Sequence, residues 1–153
     1  MMRVSTRSRY SIRILTYLAD HAAAVKPVSL KEVSRKQRIS LRYAEQLIVP
    51  LKNGGLVRSV AGKFGGYYLA RKPAHITVNE IIQASSGPVR LLTCVKNKLS
   101  CDFYSPCNAR KMWETINATI IRMLKDFTLA DLSHSKAGLK RRSKMEKWLG
   151  AKC

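Results

Sequence analysis

The sequence predicts a mainly α-helical fold with a small β-hairpin wing: a winged helix-turn-helix extended by one long helix. Three observations carry this. Two short helical segments, each opened by a serine, follow one another across a break at Gln37–Ile39. Two β-rich runs around a glycine-rich stretch come directly after them. Farther on, apolar residues recur at spacings of 3, 4, 3 and 4 from Trp113 to Phe127.

The first helix is expected from Thr6 to about His21, with Thr6 as its cap and Ile12, Leu15, Leu18, Ala19 and Ala22 on one face. Arg3, Arg7 and Arg9 surround its start, where the helix dipole disfavours positive charge and a phosphate would relieve it. Pro27 ends the linker that follows. Ser29-Leu-Lys-Glu32 has the form of a capping box, opening a helix to about Lys36. Ser40 opens the next, SLRYAEQLIVPLKNGG, whose buried stripe is Ala44, Leu47, Ile48 and Leu51. Pro50 is expected to kink or loosen its last turn, and Gly54-Gly55 to end it.

Leu56–Val60 and Tyr67–Ala70 read as strands around the tip Ala61–Gly66. Thr77-Val-Asn-Glu80 is a second capping box, opening a helix with Ile81, Ile82 and Ala84 that stops near Ser86-Gly87-Pro88. The long helix runs from about Asn108 to Asp126. Its seam of Trp113, Ile116, Ile120, Met123 and Phe127, widened by Ile121 and Leu124, is too apolar to lie bare and predicts a dimer interface; packing against the first helix of the same chain is the other reading. Thr128-Leu-Ala-Asp131 predicts a short capped turn. From Ser133 the pattern gives way to a basic tail, expected to be flexible.

A chain of 153 residues is expected to form one domain with an appendage. A net charge of +20, from 29 basic against 9 acidic residues, calls for a polyanionic partner: nucleic acid first, an anionic membrane second. No apolar run reaches the ~18 residues of a membrane span. The opening MMRVSTRSRY lacks the apolar region of a signal peptide, so a cytoplasmic protein is expected. Double-stranded DNA is the expected partner. Arg7 and Arg9 at the first helix, Ser29, Arg38, and Arg58, Lys63, Gly65 and Gly66 on the wing would meet the backbone; Ser40, Arg42, Tyr43, Glu45 and Gln46 would read bases. No residue set suggests catalysis. GKFGG is a wing tip, since no helix opening with Lys-Ser/Thr follows it.

Cys94, Cys101 and Cys107 stand at C-x6-C-x5-C; the remaining cysteine is Cys153. The spacing fits no common zinc pattern. Such a group points to metal binding or redox chemistry, with a switching disulfide, zinc or spare thiols as alternatives.

MRVSTRSRYSIRILTYLA, ISLRYAEQLIVPLKNGGLVRSV and GKFGGYYLARKPAHITVNEII together resemble the Rrf2 family of bacterial winged-helix regulators, in its cluster-binding IscR/NsrR/RirA-like type. The resemblance covers about residues 2–132. It implies a homodimeric repressor with crossing long helices, two winged helices reading a pseudo-palindromic operator, and an iron–sulfur cluster, 2Fe–2S ahead of 4Fe–4S, on Cys94, Cys101 and Cys107. Lys96, Lys98, Arg110 and Lys111 flank the thiols and favour the thiolate. The resemblance divides the chain into a winged domain at 2–87, a cluster loop at 88–107, a dimerisation helix at 108–132 and the tail at 133–153.

The departures concern the fourth ligand. Arg110 stands where IscR-like members have His, and Arg9 where NsrR-like members have Asp. Asp102, Glu114, Asn108, His21, Cys153, a small thiol or water are the candidates left. Ala61 replaces a wing Arg of many members, leaving that contact to Arg58 or Lys63. A thiol-disulfide or zinc switch without a cluster, and a small electron carrier, are the competing functions.

Overall fold

Ser5, one residue ahead of the expected cap, opens the chain's first helix: its hydroxyl accepts from the Ser8 amide at 3.0 Å. The computed structural model describes residues 5–22, 26–92 and 107–134. Helix α1 (Thr6–Asp20) is followed by α2 (Leu30–Gln37) and α3 (Leu41–Asn53), then by the hairpin β1 (Val57–Val60) and β2 (Gly66–Leu69). A 3₁₀ turn at Pro73–His75 leads into α4 (Val78–Ser86); α5 (Ala109–Asp126) and the single-turn α6 (Leu129–Leu132) complete the order. Among the described residues, no helix is long and apolar enough to cross a membrane. Mainly helical architecture with a two-stranded antiparallel wing agrees with the sequence expectation.

The core lies under α1. Ile14, Leu15 and Leu18 meet Val33 of α2, Leu47, Ile48 and Leu51 of α3, Leu56 and Val57 at the wing's root, and Ile76, Ile81 and Leu129 beyond it. Full burial of each such side chain favours the fold by about 1.5–3 kcal/mol. The α3 stripe is the one the spacing predicts. The α1 stripe is shifted: Ser8, Ser11 and Ile14 are buried, Ile12 is half-buried and Ala22 is exposed. Packing between α1 and α4 decides this. Ser8 Oγ donates to Ser86 Oγ at 2.8 Å and lies 3.1 Å from Ser85 Oγ, while Ser5 Oγ and Ser86 Oγ are 2.6 Å apart. Small hydroxyl side chains let the two helices approach and satisfy one another there.

One of the two expected capping boxes forms in full, and the expected capped turn at Thr128 forms a box as well. Thr77 and Glu80 exchange both bonds, as do Thr128 and Asp131. Glu80 also takes the Arg71 guanidinium at 2.8 Å. Partial burial pushes its carboxyl up, but the Thr77 amide, Arg71 and the Thr77 hydroxyl outweigh that and hold it below its ordinary value. The other expected box, at Ser29, is half made. Ser29 caps α2 through the Glu32 amide at 3.1 Å, but the Glu32 carboxylate turns to the Tyr17 hydroxyl at 2.7 Å, tying α2 to α1.

Pro50 stays inside α3, which continues to Asn53 before the Leu56 amide closes back on the Leu51 carbonyl at 3.0 Å, with Gly55 at φ 66°. Residues 127–129 clasp 76–78: the Val78 amide donates to Phe127 O and the Leu129 amide to Ile76 O, both at 2.8 Å. Leu129 is fully buried, so the core of the winged unit extends past residue 87 to include α6. Ser133 is buried, and His134 holds Asp20 through its amide and Nδ1, both at 2.7 Å. The expected flexible tail at 133–153 therefore begins, at the earliest, after these two; residues 135–153 lie outside the described set.

Candidate nucleic-acid interface and cysteine loop

The turn between α2 and α3 is set by Arg38, at φ 54° the lone non-glycine residue with positive φ among the described residues. This left-handed conformation ends α2: the Arg38 amide closes on Arg35 O, and the Ile39 amide on Ser34 O at 3.0 Å. Arg13 of α1 braces the turn, its Nε donating to Gln37 Oε1 at 2.9 Å and its terminal nitrogen to Gln37 O at 3.3 Å. Ser40 then caps α3 through the Tyr43 amide at 3.1 Å.

With Ala44, Leu47, Ile48 and Leu51 inward, α3 exposes Arg42, Glu45, Gln46 and Val49, a stripe at i, i+3, i+4 and i+7. Leu41 is exposed at its start. Tyr43 differs from its expected role as a free base reader. It is half-buried and meets Tyr10 edge to face, with centroids 5.9 Å apart and planes at 86°. The guanidinium groups of Arg9 and Arg13 each lie 5.1 Å from the Tyr10 centroid. An open depression of about 480 Å³ joins Arg7 to the α3 side chains Tyr43, Gln46, Val49, Pro50 and Asn53. Arg7 thus flanks the exposed stripe.

The wing follows α3, and β1 packs against that helix. Val57 pairs with Leu69 and Arg58 with Tyr68. Val28, just before α2, exchanges both backbone bonds with Tyr67, at 3.1 and 2.9 Å, as an isolated bridge to β2. Gly66 is required there, since a Cβ would come 2.5 Å from Val28 O. Gly65 has the same constraint from Val60 O, at 2.3 Å. These two glycines of the predicted interface therefore shape the wing from half-buried positions. Ser29 likewise has its hydroxyl oxygen engaged as the α2 cap. Arg58 and Lys63 are exposed. Ion pairs among the described residues join Arg71 to Glu80, Arg110 to Glu114 and His134 to Asp20; none engages Arg7, Arg38, Arg42, Arg58 or Lys63.

Of the three loop cysteines, Cys107 is described: it is exposed, with a free thiol, just ahead of α5. Cys94 and Cys101 lie outside the described residues, as do Asp102 and Cys153, and Lys96 and Lys98 that flank the thiols. Among the described residues no three His, Cys, Asp or Glu side chains gather at a metal-binding spacing. Asn108 is exposed beside Cys107, and Glu114 takes Arg110 at 3.5 Å. His21 spends Nδ1 on Tyr17 O at 2.8 Å.

Helix α5 is amphipathic in an inverted sense. Its one buried residue is polar: Asn117, whose Oδ1 accepts from the Leu91 amide at 3.1 Å. Of the predicted seam, Ile116 and Met123 are exposed and Trp113, Ile120 and Phe127 half-buried. Met112, 50% exposed, extends it.

Sequence reasoning missed Tyr10, Arg13 and Phe64. The aromatic residue between Gly62 and Gly65 was a readable signal, since such a tip has no core to enter; the Tyr10 and Arg13 contacts join residues 24 to 33 positions apart and left no local trace.

Comparison with known proteins adds four findings. The family described as Rrf2, iron-dependent transcriptional regulator, matches residues 4–135. Protein rrf2 of Nitratidesulfovibrio vulgaris is 36% identical over 131 residues, spanning 86% of this chain and 87% of that protein. Among solved structures, CymR, titled the global cysteine regulator of B. subtilis, is 34% identical with a TM-score of 0.71, covering 87% of this chain and 97% of its own. IscR of T. potens is 37% identical with a TM-score of 0.68, covering 86% and 85%.

Proposed function

We propose that this chain, which belongs to the Rrf2 family of transcriptional regulators, is a cytoplasmic repressor that binds operator DNA as a homodimer under the control of an iron–sulfur cluster. DNA-binding regulation follows from the family, and the similar proteins are named as regulators, not enzymes. The carrying observation is the α2–Arg38–α3 unit with its wing. It presents Arg42, Glu45 and Gln46 as one stripe, bordered by cations that no described carboxylate neutralises. In the major groove Arg42 would take guanine, Gln46 adenine, and Glu45 the cytosine amino group. Arg7, Arg9, Arg38, Arg58 and Lys63 would hold phosphates, giving affinity that falls with salt. Ser29 and Ser40 keep a hydroxyl proton to donate while accepting as caps, and Gly65 and Gly66 bring wing backbone close to the duplex.

The exposed Met112, Ile116 and Met123 on α5 support the homodimer. Trp113, Ile116, Ile120, Met123 and Phe127 would pack against the same residues of a second copy, setting two winged units on a pseudo-palindrome.

For the cluster, the donor set fits. Thiolates are the usual ligands of iron–sulfur clusters, and this loop offers three, of which Cys107 is open to a ligand. Cys94, Cys101 and Cys107 would hold it, 2Fe–2S ahead of 4Fe–4S. Of the fourth-donor candidates, Asn108 stands next to Cys107, while Glu114 is engaged by Arg110. The family's iron-dependent description and the likeness to T. potens IscR support this. When bound, the cluster supplies a redox-active and losable centre. The loop joins α4, which packs on α1, to α5, so a cluster held there would bias how α5 sits against the winged unit. A thiol–disulfide switch in the same loop is the second reading, favoured by the exposed Cys107 thiol.

Anaerobic purification with iron and sulfide counted per chain tests the cluster, and titration of selected duplex DNA at ~0.15 M salt tests the regulator. Matching iron and sulfide, and DNA affinity that changes on cluster loss and no longer does so in a Cys94→Ala/Cys101→Ala/Cys107→Ala chain, are expected. A colourless protein that resists reconstitution leaves the DNA reading standing and moves the sensing to cysteine oxidation.

A further inference from the structure

At the tip of the wing stands Phe64, 85% exposed, the most exposed large apolar side chain among the described residues. Isolated apolar residues on a surface are ordinary, but this one stands on a defined turn. The Gly65 amide donates to Gly62 O at 2.9 Å, Gly62 takes φ 115°, and Gly65 is wedged against Val60 O. The turn therefore holds Phe64 at the far end of a hairpin anchored through Tyr67 to Val28. Val60, also exposed, lies at its base. The Lys63 ammonium is 5.8 Å from the Phe64 centroid, and Arg58 stands farther down β1. Such a rim of cations disfavours an apolar protein surface without matching carboxylates and suits a groove walled by phosphates.

We propose that Phe64 is a wedge that enters the minor groove of the operator beside the α3 half-site, partly unstacking a flexible pyrimidine–purine step while Lys63 holds the adjoining phosphates. Apolar side chains, Phe among them, unstack and kink duplexes in this way, and TA and CA/TG steps yield most readily. Phe64 would then set sequence preference at positions that α3 never touches. The inference rests on the proposed DNA-binding function and adds to it a residue that the base-reading helix does not contain.

The test starts from a duplex selected by the full-length wild-type chain from a randomised pool. Flanks enriched in TA or CA/TG at a fixed distance from the α3 consensus are expected with wild type and lost with Phe64→Ala. Affinity for the selected duplex should fall roughly 10-fold in Phe64→Ala with the salt slope unchanged, whereas Lys63→Ala should lower the slope by about 1. 2-Aminopurine placed in the enriched step should brighten on binding of wild type and Phe64→Leu, and stay dark with Phe64→Ala. Equal flanks, or equal fluorescence with wild type and Phe64→Ala, overturns the wedge even if affinity falls. If wild type selects no sequence at all, the regulator reading fails first.

Discussion

Tyr10 and Tyr43 meet edge to face with their centroids 5.9 Å apart, so the helix that carries the exposed Arg42–Gln46 stripe is positioned by an aromatic contact with α1. Arg9 and Arg13 add their guanidinium groups to the same Tyr10 ring. Such an aromatic pair contributes about 0.5–1.5 kcal/mol beyond its area, and a cation over a ring about 0.5–1 kcal/mol at exposed sites. Tyr10→Leu, which keeps apolar bulk, should therefore destabilise the chain by ~1–2 kcal/mol in urea unfolding. It should also weaken binding to a selected duplex, although Tyr10 itself needs no base contact. Unchanged affinity in a destabilised variant would show that the contact serves stability alone.

Tyr17 supplies a pH dependence. Burial, then the hydrogen bond and charge of Glu32, push its phenol up to about 12 from 10.0. The folded state thus favours the neutral phenol. Its contribution to stability is whole below pH ~10, the unfolded value, and is lost as pH rises through about 12. The urea midpoint of wild type should fall over this interval more steeply than that of Tyr17→Phe. Parallel curves would refute the coupling.

At the wing's root, Gly66→Ala places a Cβ 2.5 Å from the Val28 carbonyl, a backbone atom that cannot swing away. Overpacking of this kind costs about 1–3 kcal/mol. Faster hydrogen exchange of the Val28 and Tyr67 amides, which close the bridge, should accompany the loss of stability. An unaltered exchange pattern would mean that the strand shifts freely.

The α5 stripe makes its own prediction. Wild type should sediment as a dimer, and Ile116→Asp/Met123→Asp as a monomer of unchanged helix content with DNA affinity reduced at least 10-fold. A wild-type chain that stays monomeric at high concentration would show that something else covers the stripe.

Much of this fold was legible because its determinants are local. Ser40, the stripe Ala44, Leu47, Ile48 and Leu51, and the Thr77–Glu80 box all lie within single turns or a single period, and each appears where the pattern predicts. What was not legible depends on residues far apart in sequence. Ser8 is buried because Ser85 and Ser86 answer its hydroxyl, and Glu32 leaves its capping box because Tyr17 competes for it. Polar residues on a core face do not announce such partners. For the candidate site, the basic residues and α3 stripe were readable, whereas the half-burial of Tyr43 and the exposure of Phe64 emerged only with the tertiary packing.

The clasp of residues 127–129 onto 76–78 bears on how the chain is made. A ribosome releases α1 to α4 well before Leu129, yet that side chain completes the core beneath α1, and its amide caps the Ile76 carbonyl. The nascent winged unit must therefore wait, with one flank of its core open, until the cysteine loop and α5 have both been synthesised. A chain whose translation stops before α6 carries every residue of the α3 stripe and still lacks the plug that holds α1 in place. Synthesis of α6 is thus what closes the core of the winged unit.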